Sequence, residues 1–251
     1  MKKYVSFLVL LAMSYTIQAQ SKWNVGIQTG CVTNVAKYES GNEEAHALFS
    51  NNPYKSAQLG VIFRYKLSSK FSLQSGFNFT EFGFSYGMAK NYSLLKPEKR
   101  YTDLSSSTCI SSIPAMFVMN TPVNCNNMRF IFGAGFAVRG IDSEWESDSQ
   151  EEITASEGAN AKTTYMTETS KTVNPVSAAV TWMLGMEKVL PRGNTLSFTF
   201  QGNQGLSTIA ESTVNYTAGD QNYSHTFINR GSYATFAIAY NFMSFGSRKA
   251  K

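Results

Sequence analysis

Cysteine is scarce in this chain. Three occur in 251 residues, Cys31, Cys109 and Cys125, and an odd count argues against a disulfide framework. Cys109 and Cys125 are read as lying toward opposite ends of one strand. At ~3.3 Å rise per residue they are too far apart for a bridge, which needs Cα atoms within ~7 Å. All three are expected to serve as small apolar fillers. Histidine is scarcer still, with only His46 and His225. No CxxC, phosphate loop or metal-ligand spacing occurs, so no cofactor and no metal site is expected. No segment approaches the ~18 uninterrupted apolar residues of a spanning helix. The excess of positive charge is small, +5, and part of it, Lys2 and Lys3, sits at the extreme N-terminus. The remaining basic residues are scattered, which speaks against nucleic acid as a partner.

The N-terminus itself is informative. Lys2 and Lys3 precede an apolar stretch from Tyr4 to Tyr15, followed by Ile17-Gln18-Ala19-Gln20. A basic start, about a dozen apolar residues and a small residue at the cut site make a secretory signal peptide, cleaved after Ala19. The expected organisation is a signal peptide over 1–19, one domain over 20–245 and a polar tail over 246–251.

Aromatics are abundant, with 18 Phe and 13 Tyr, and eight segments alternate apolar and polar residues with the period of a β-strand. The first is about Lys22 to Asn34, with Trp23, Val25, Ile27, Thr29 and Cys31 on one face. The second is about Ala57 to Leu67, with Leu59, Val61, Phe63 and Tyr65. The third starts at Phe71 and runs to about Thr80, with Leu73, Phe77 and Phe79. The fourth is about Thr108 to Asn120 and contains Pro114, a residue that tends to mark a bulge. The remaining four are about Met128 to Gly140, Pro175 to Val189, Thr195 to Leu206 and Gly231 to Phe242.

The connections between these segments go long, short, long, short, long, short, long. This is the pattern of an all-β, eight-stranded up-and-down antiparallel transmembrane β-barrel with long extracellular loops and short periplasmic turns. The long loops are Val35 to Ser56, Phe84 to Ser107, Ile141 to Asn174 and Ser207 to Arg230. The polar faces are rich in Gly, Ser, Asn and Gln, with Arg64, Arg129, Arg139 and Glu187 among them, and suit the filled lumen of a narrow barrel. Those four charges are expected to form a structural plug, paired or hydrated, because an unpaired buried charge is costly. The bulky apolar faces are then left for outer-membrane lipid, with the N-terminus in the periplasm of a Gram-negative envelope and the barrel monomeric.

Two loop features invite a functional reading. The third long loop carries Asp142, Glu144, Glu146, Asp148, Glu151, Glu152 and Glu157, while the second carries Lys90, Lys96, Lys99 and Arg100. Clustered carboxylates suit calcium. But no glycine-punctuated loop motif accompanies them, so the acidic run is read as a solvated loop facing a basic one. Ser224 beside His225, with Glu211 upstream, is the nearest approach to a hydrolytic group. Neighbours on an extended chain point to opposite sides, whereas a nucleophile and its base must meet within ~3 Å. No catalytic residue is assigned, and the chain is expected not to be an enzyme.

The seventh segment carries Phe200-Gln201-Gly202-Asn203-Gln204-Gly205-Leu206-Ser207-Thr208-Ile209. This resembles the aromatic-x-x-x-x-Gly-Leu-x-x-Ile segment of PorT-like outer-membrane β-barrel proteins. Ile113-Pro114 and Phe132-Gly133-Ala134-Gly135 resemble two further segments of that family. The terminal aromatic Phe242 resembles the signal read by the outer-membrane assembly machinery. The resemblance implies a barrel and supplies no catalytic residue. The family's namesake takes part in type IX secretion, so the resemblance also raises an accessory role beside other envelope or secretion-system proteins. The primary expectation is a non-enzymatic scaffold whose outer loops, or a lipid-facing strand, bind a partner.

Overall fold

The computed structural model describes residues 23–34, 36–41, 49–51, 53–89, 101–155, 162–218 and 221–242. The expected signal peptide, the expected tail over 246–251, His46, Glu157 and the basic residues Lys90, Lys96, Lys99 and Arg100 lie outside them. Among the described residues the chain forms fourteen strands in two sheets. The first sheet holds the eight long strands: β1 (Trp23–Asn34), β4 (Tyr54–Lys66), β5 (Phe71–Ala89), β6 (Tyr101–Asn120), β7 (Met128–Ile141), β10 (Val176–Val189), β11 (Thr195–Gly205) and β14 (Tyr233–Phe242). Each pairs antiparallel with its neighbours in the order β5-β4-β1-β14-β11-β10-β7-β6, and β6 returns to β5. The wall is closed, and closure leaves these strands no open edge.

Side-chain alternation along this wall follows the sequence. Trp23, Val25 and Ile27 face out while Asn24 and Gln28 are buried. Phe136 is 65% exposed and Leu59 63%, whereas Glu187 and Ser72 are 0%. A residue set that would form the core of a water-soluble sandwich is on the outside here, and the polar set is within.

The long connections differ from the sequence expectation: three of the four carry strands of their own. The first contains β2 (Lys37–Gly41) and β3 (Phe49–Asn51). The third is a hairpin of β8 (Glu146–Ala155) and β9 (Lys162–Thr172), and the fourth a hairpin of β12 (Ala210–Ala218) and β13 (Gln221–Asn229). In the second connection, β5 and β6 run on to Ala89 and Tyr101. The second sheet has the order β2-β13-β12-β9-β8. It prolongs the barrel wall, since β2 follows β1, β8 follows β7, β9 leads into β10, β12 follows β11 and β13 leads into β14. The molecule therefore has a lower storey, ending in short turns, and an upper storey on the same wall.

Two smaller expectations are corrected. Pro114 marks no bulge: the register of β5 against β6 is the same before it, Ser75–Ala115, and after it, Asn78–Ser112. Proline removes one ladder donor without displacing the chain, and its carbonyl accepts a hydrogen bond from Ser75 Oγ at 2.8 Å. Cys125 lies in the turn after β6 rather than on the strand with Cys109. All three cysteines are free and exposed.

Candidate functional site

Four layers fill the space inside the wall. The lowest is charged. Arg64 from β4, Arg129 from β7 and Glu187 from β10 converge there: Arg64 Nη1 donates to Glu187 Oε2 at 2.6 Å, and Arg129 Nε donates to Oε1 at 2.9 Å with its Nη2 adding a second, short contact. Gln74 Oε1 accepts from Arg64 Nη2 at 2.8 Å. One carboxylate thus divides its two oxygens between two guanidiniums, and charge-assisted bonds of this kind are the strong ones. Strand register makes this possible, since Glu187 is the partner of Arg129 and Arg64 that of Gln74.

Above the charges the lumen is packed by uncharged groups. Gln28 Nε2 donates to Asn78 Oδ1 at 2.6 Å and Thr235 Oγ1 to Gln58 Oε1 at 3.1 Å. Met116, Val118, Ile131 and Met183 form a small apolar cluster among them, a feature not expected from the largely polar inward face. The space left among Gln28, Gln74, Asn78, Met116, Thr181 and Gln201 is about 10 Å³, close to what a single water requires.

The third layer is the joint between the storeys, and Arg139 sits in it rather than with the other charges. Its Nη1 donates to the Gly231 carbonyl at 2.5 Å and its Nη2 to the carbonyls of Arg230 at 2.9 Å and Ala178 at 3.3 Å. Asn34 and Asn229 both donate to the Gly83 carbonyl, at 2.9 and 3.3 Å. In the link between β13 and β14, Gly231 adopts φ +67°, a region costly for other residues. A Cβ on Gly205 would overlap the Arg230 carbonyl. The Gly205-Leu206 and Ile209 positions of the seventh-segment motif fall at this joint, with Ile209 2% exposed. That motif places Gly205 where the Arg230 carbonyl approaches too closely for a side chain.

The upper storey encloses an apolar core of Phe82, Phe84, Ile110, Met166, Val214 and Phe227, among others. One buried carboxylate interrupts it. Glu168 Oε1 accepts from Ser106 Oγ at 2.7 Å, Ser170 Oγ at 2.8 Å and Ser212 Oγ at 3.0 Å, joining β6, β9 and β12. The sequence reading missed this group, although Met166, Glu168 and Ser170 share one face of an alternating segment.

His225 is buried and Ser224 exposed on β13, so the two point to opposite sides, and Glu211 lies half-buried on β12, paired loosely with Lys171 at 4.0 Å. The acidic residues Glu146 and Asp148 stand exposed on β8, and Asp142 and Glu144 in the turn before it. Among the described residues no group of three or more His, Cys, Asp or Glu side chains comes close enough to hold a metal ion. No helix among them is long and apolar enough to cross a membrane, which has no bearing on crossing by strands.

No protein-family profile matches this chain, and no curated protein matches it in sequence. Among solved structures it is similar to outer-membrane protein OprG of Pseudomonas aeruginosa, at TM-score 0.48 and 10% identity, covering 90% of this chain and 99% of that one. Neisserial surface protein A gives TM-score 0.41 at 8% identity, with 89% and 97% covered. Ail, the attachment invasion locus protein of Yersinia pestis, gives 0.37 at 10% identity, with 89% and 100% covered.

Proposed function

We propose that this chain is an outer-membrane β-barrel with a sealed lumen. In this reading it serves as a non-enzymatic scaffold that presents its upper sheet to a partner outside the cell. The observation that carries the reading is the exterior of the lower storey. A closed belt of exposed Phe, Trp, Leu, Ile and Val is far larger than the apolar patches of soluble monomers, and it suits hydrocarbon. Above the joint the outward residues are Glu146, Asp148, Thr167, Thr169, Lys171 and Ser224, a surface for water. The short turns then lie in the periplasm and the hairpins outside.

The packed lumen argues against a pore. Purified protein in planar bilayers is expected to show no steady conductance steps, and regular steps would sink the sealed-scaffold reading. The partner-binding face is tested by replacing the outward residues of β8 and β9 together with serine, which leaves the hairpin's inward residues in place. Pull-down of cell-surface partners should then be lost, and undiminished capture would exclude this face.

A secretion-accessory role is a second reading, favoured only by the PorT-like segments. It predicts that the tagged protein, extracted gently from native outer membrane, brings secretion-system subunits with it and that its deletion stops export of cargo. A clean monomer with normal export would discard that role.

A further inference from the structure

The outside of the wall carries an apolar groove with basic residues on the wall above it. The groove, about 660 Å³, crosses β14, β1, β4 and β5 and is lined by Ile27, Thr29, Leu59, Val61, Phe79 and Ile238, among others. It arises because Thr29, between Leu59 and Ile238 in register, is small where its neighbours are bulky. Moving up the same outward face, the residues of β1 and β4 are also small, Cys31 beside Ala57, but on β14 the partner of Cys31 is the exposed Phe236, and Ala234 beside Thr33 follows. Thr33 is also the register partner of Lys55, four residues above Leu59 and so about 13 Å higher. Lys37 pairs with Ile228, two residues before Arg230. Lys37, Lys55 and Arg230 are all exposed, and among the described residues none of them makes an ion pair. Carboxylates close by in the fold are Glu81, which accepts a hydrogen bond from Tyr54 Oη at 2.6 Å, Glu39, two residues beyond Lys37, and Glu211, the other register partner of Ile228, which is paired with Lys171.

We infer that this track is a binding site for a phosphorylated lipid of the outer leaflet. One acyl chain lies in the groove, its upper part passes over Cys31, Ala57 and Thr33, and the headgroup phosphates meet Lys37, Lys55 and Arg230. Each element matches a part of such a molecule: an apolar slot at membrane depth, a strip of small residues on β1 and β4 flanked by Phe236 above it, and unpaired cations that run from Lys55, level with Thr33, to Lys37 about 13 Å higher. Cations at a membrane surface attract anionic headgroups, and arginine in particular suits phosphate. The inference rests on the outer-membrane reading above.

The test uses the full-length protein in phosphatidylcholine nanodiscs containing either diphosphorylated lipid A or the same lipid with both phosphates removed. Native mass spectrometry after release counts the lipids retained. The wild type should keep one diphosphorylated lipid and not its dephosphorylated form. K37Q/K55Q/R230Q should weaken retention on the order of a hundredfold, about fivefold for each cation near the surface. T29W, which fills the groove without touching the cations, should reduce retention of the phosphorylated lipid as well. Equal retention of both lipids, or unchanged retention by the triple variant, overturns the site while the barrel stands. A chain that fails to insert into nanodiscs at all overturns the membrane reading beneath it.

Discussion

Below the joint, β5 turns Leu73, Phe77 and Phe79 outward and Ser72, Gln74 and Asn78 inward. Above it the same unbroken strand turns Phe82 and Phe84 inward and leaves Glu81 outside. Side chains of a continuous strand cannot change sides, because the period is two. What changes is the phase of the apolar residues, from odd positions to even. β6 repeats the change, with Ile113, Phe117 and Met119 outward and Ile110 inward. The two storeys share one backbone wall and are inside out relative to each other. On the outer-membrane reading proposed above, the switch of phase marks the height at which the solvent outside changes, from one that rewards exposed phenylalanine to one that penalises it. The interior changes to match: charges and amides, with one small cluster of Met116, Val118, Ile131 and Met183, fill the space behind the apolar belt, and a phenylalanine-rich core fills the space behind the polar wall.

The largest effects should come from deleting what each interior depends on. Glu187→Ala leaves Arg64 and Arg129 facing each other with no counter-charge, and removing one partner of a buried ion pair costs about 3–5 kcal/mol. Phe84→Ala, in the upper core, falls in the about 3–5 kcal/mol range of buried phenylalanine truncations. Urea unfolding of the protein in phospholipid vesicles measures both. If Glu187→Ala cost less than 1 kcal/mol, the charged layer would not be holding the lower storey together.

The outward faces allow the same substitution to be made in both regions. Phe136→Arg, in the belt, should cost about 2–4 kcal/mol at mid-depth in a bilayer. Thr169→Arg, on the outer surface of β9, should stay within about 0.5 kcal/mol of wild type. Equal costs would mean that the two exteriors face the same solvent, and the inside-out comparison would collapse.

The lower storey was legible in the sequence because one face of every strand is apolar, and the alternation shows through. The upper storey was not, for two reasons. On β8 and β9 both faces are polar: Glu146, Ser147, Asp148 and Ser149 offer no hydrophobic period, and the inward face of β9 carries Glu168 and Ser170 beside Met166. Only the threonines of β9, which favour strands, hinted at pairing. On β5 the phase switch between Phe79 and Phe82 looks like the end of a strand to any reading that follows a single apolar face, so a strand reaching Ala89 was cut near Thr80. The lumen charges were legible as a set, but not their division. Arg64, Arg129 and Glu187 sit near the turn ends of their strands, whereas Arg139 is ten residues along β7 from Arg129 and so ends at the joint. Its carbonyl partners come from residues 178, 230 and 231, which no pattern in the sequence links to it.

A smaller loss than those of the buried groups and the belt probes whether the two storeys form one cooperative unit. Gly231 holds φ +67°, and a Cβ there would lie 2.7 Å from Arg139 Nη1 and from Ile209 Cδ1. Gly231→Ala should therefore cost about 1–2 kcal/mol for the left-handed backbone alone, and the guanidinium must also shift from the carbonyls it binds. The strain falls on the joint, so its effect should be uneven. Amide hydrogen exchange is expected to speed up in β9, β12 and β13, while β1, β4 and β5 in the belt keep wild-type protection, because local opening follows the weakest cooperative unit. Arg139→Met should reproduce this pattern without the backbone strain, since it removes the donors that tie residues 178, 230 and 231 together. If both variants instead loosened the belt strands as much as the upper sheet, the joint would be a rigid part of one folding unit, and the boundary between the storeys would be one of solvent only.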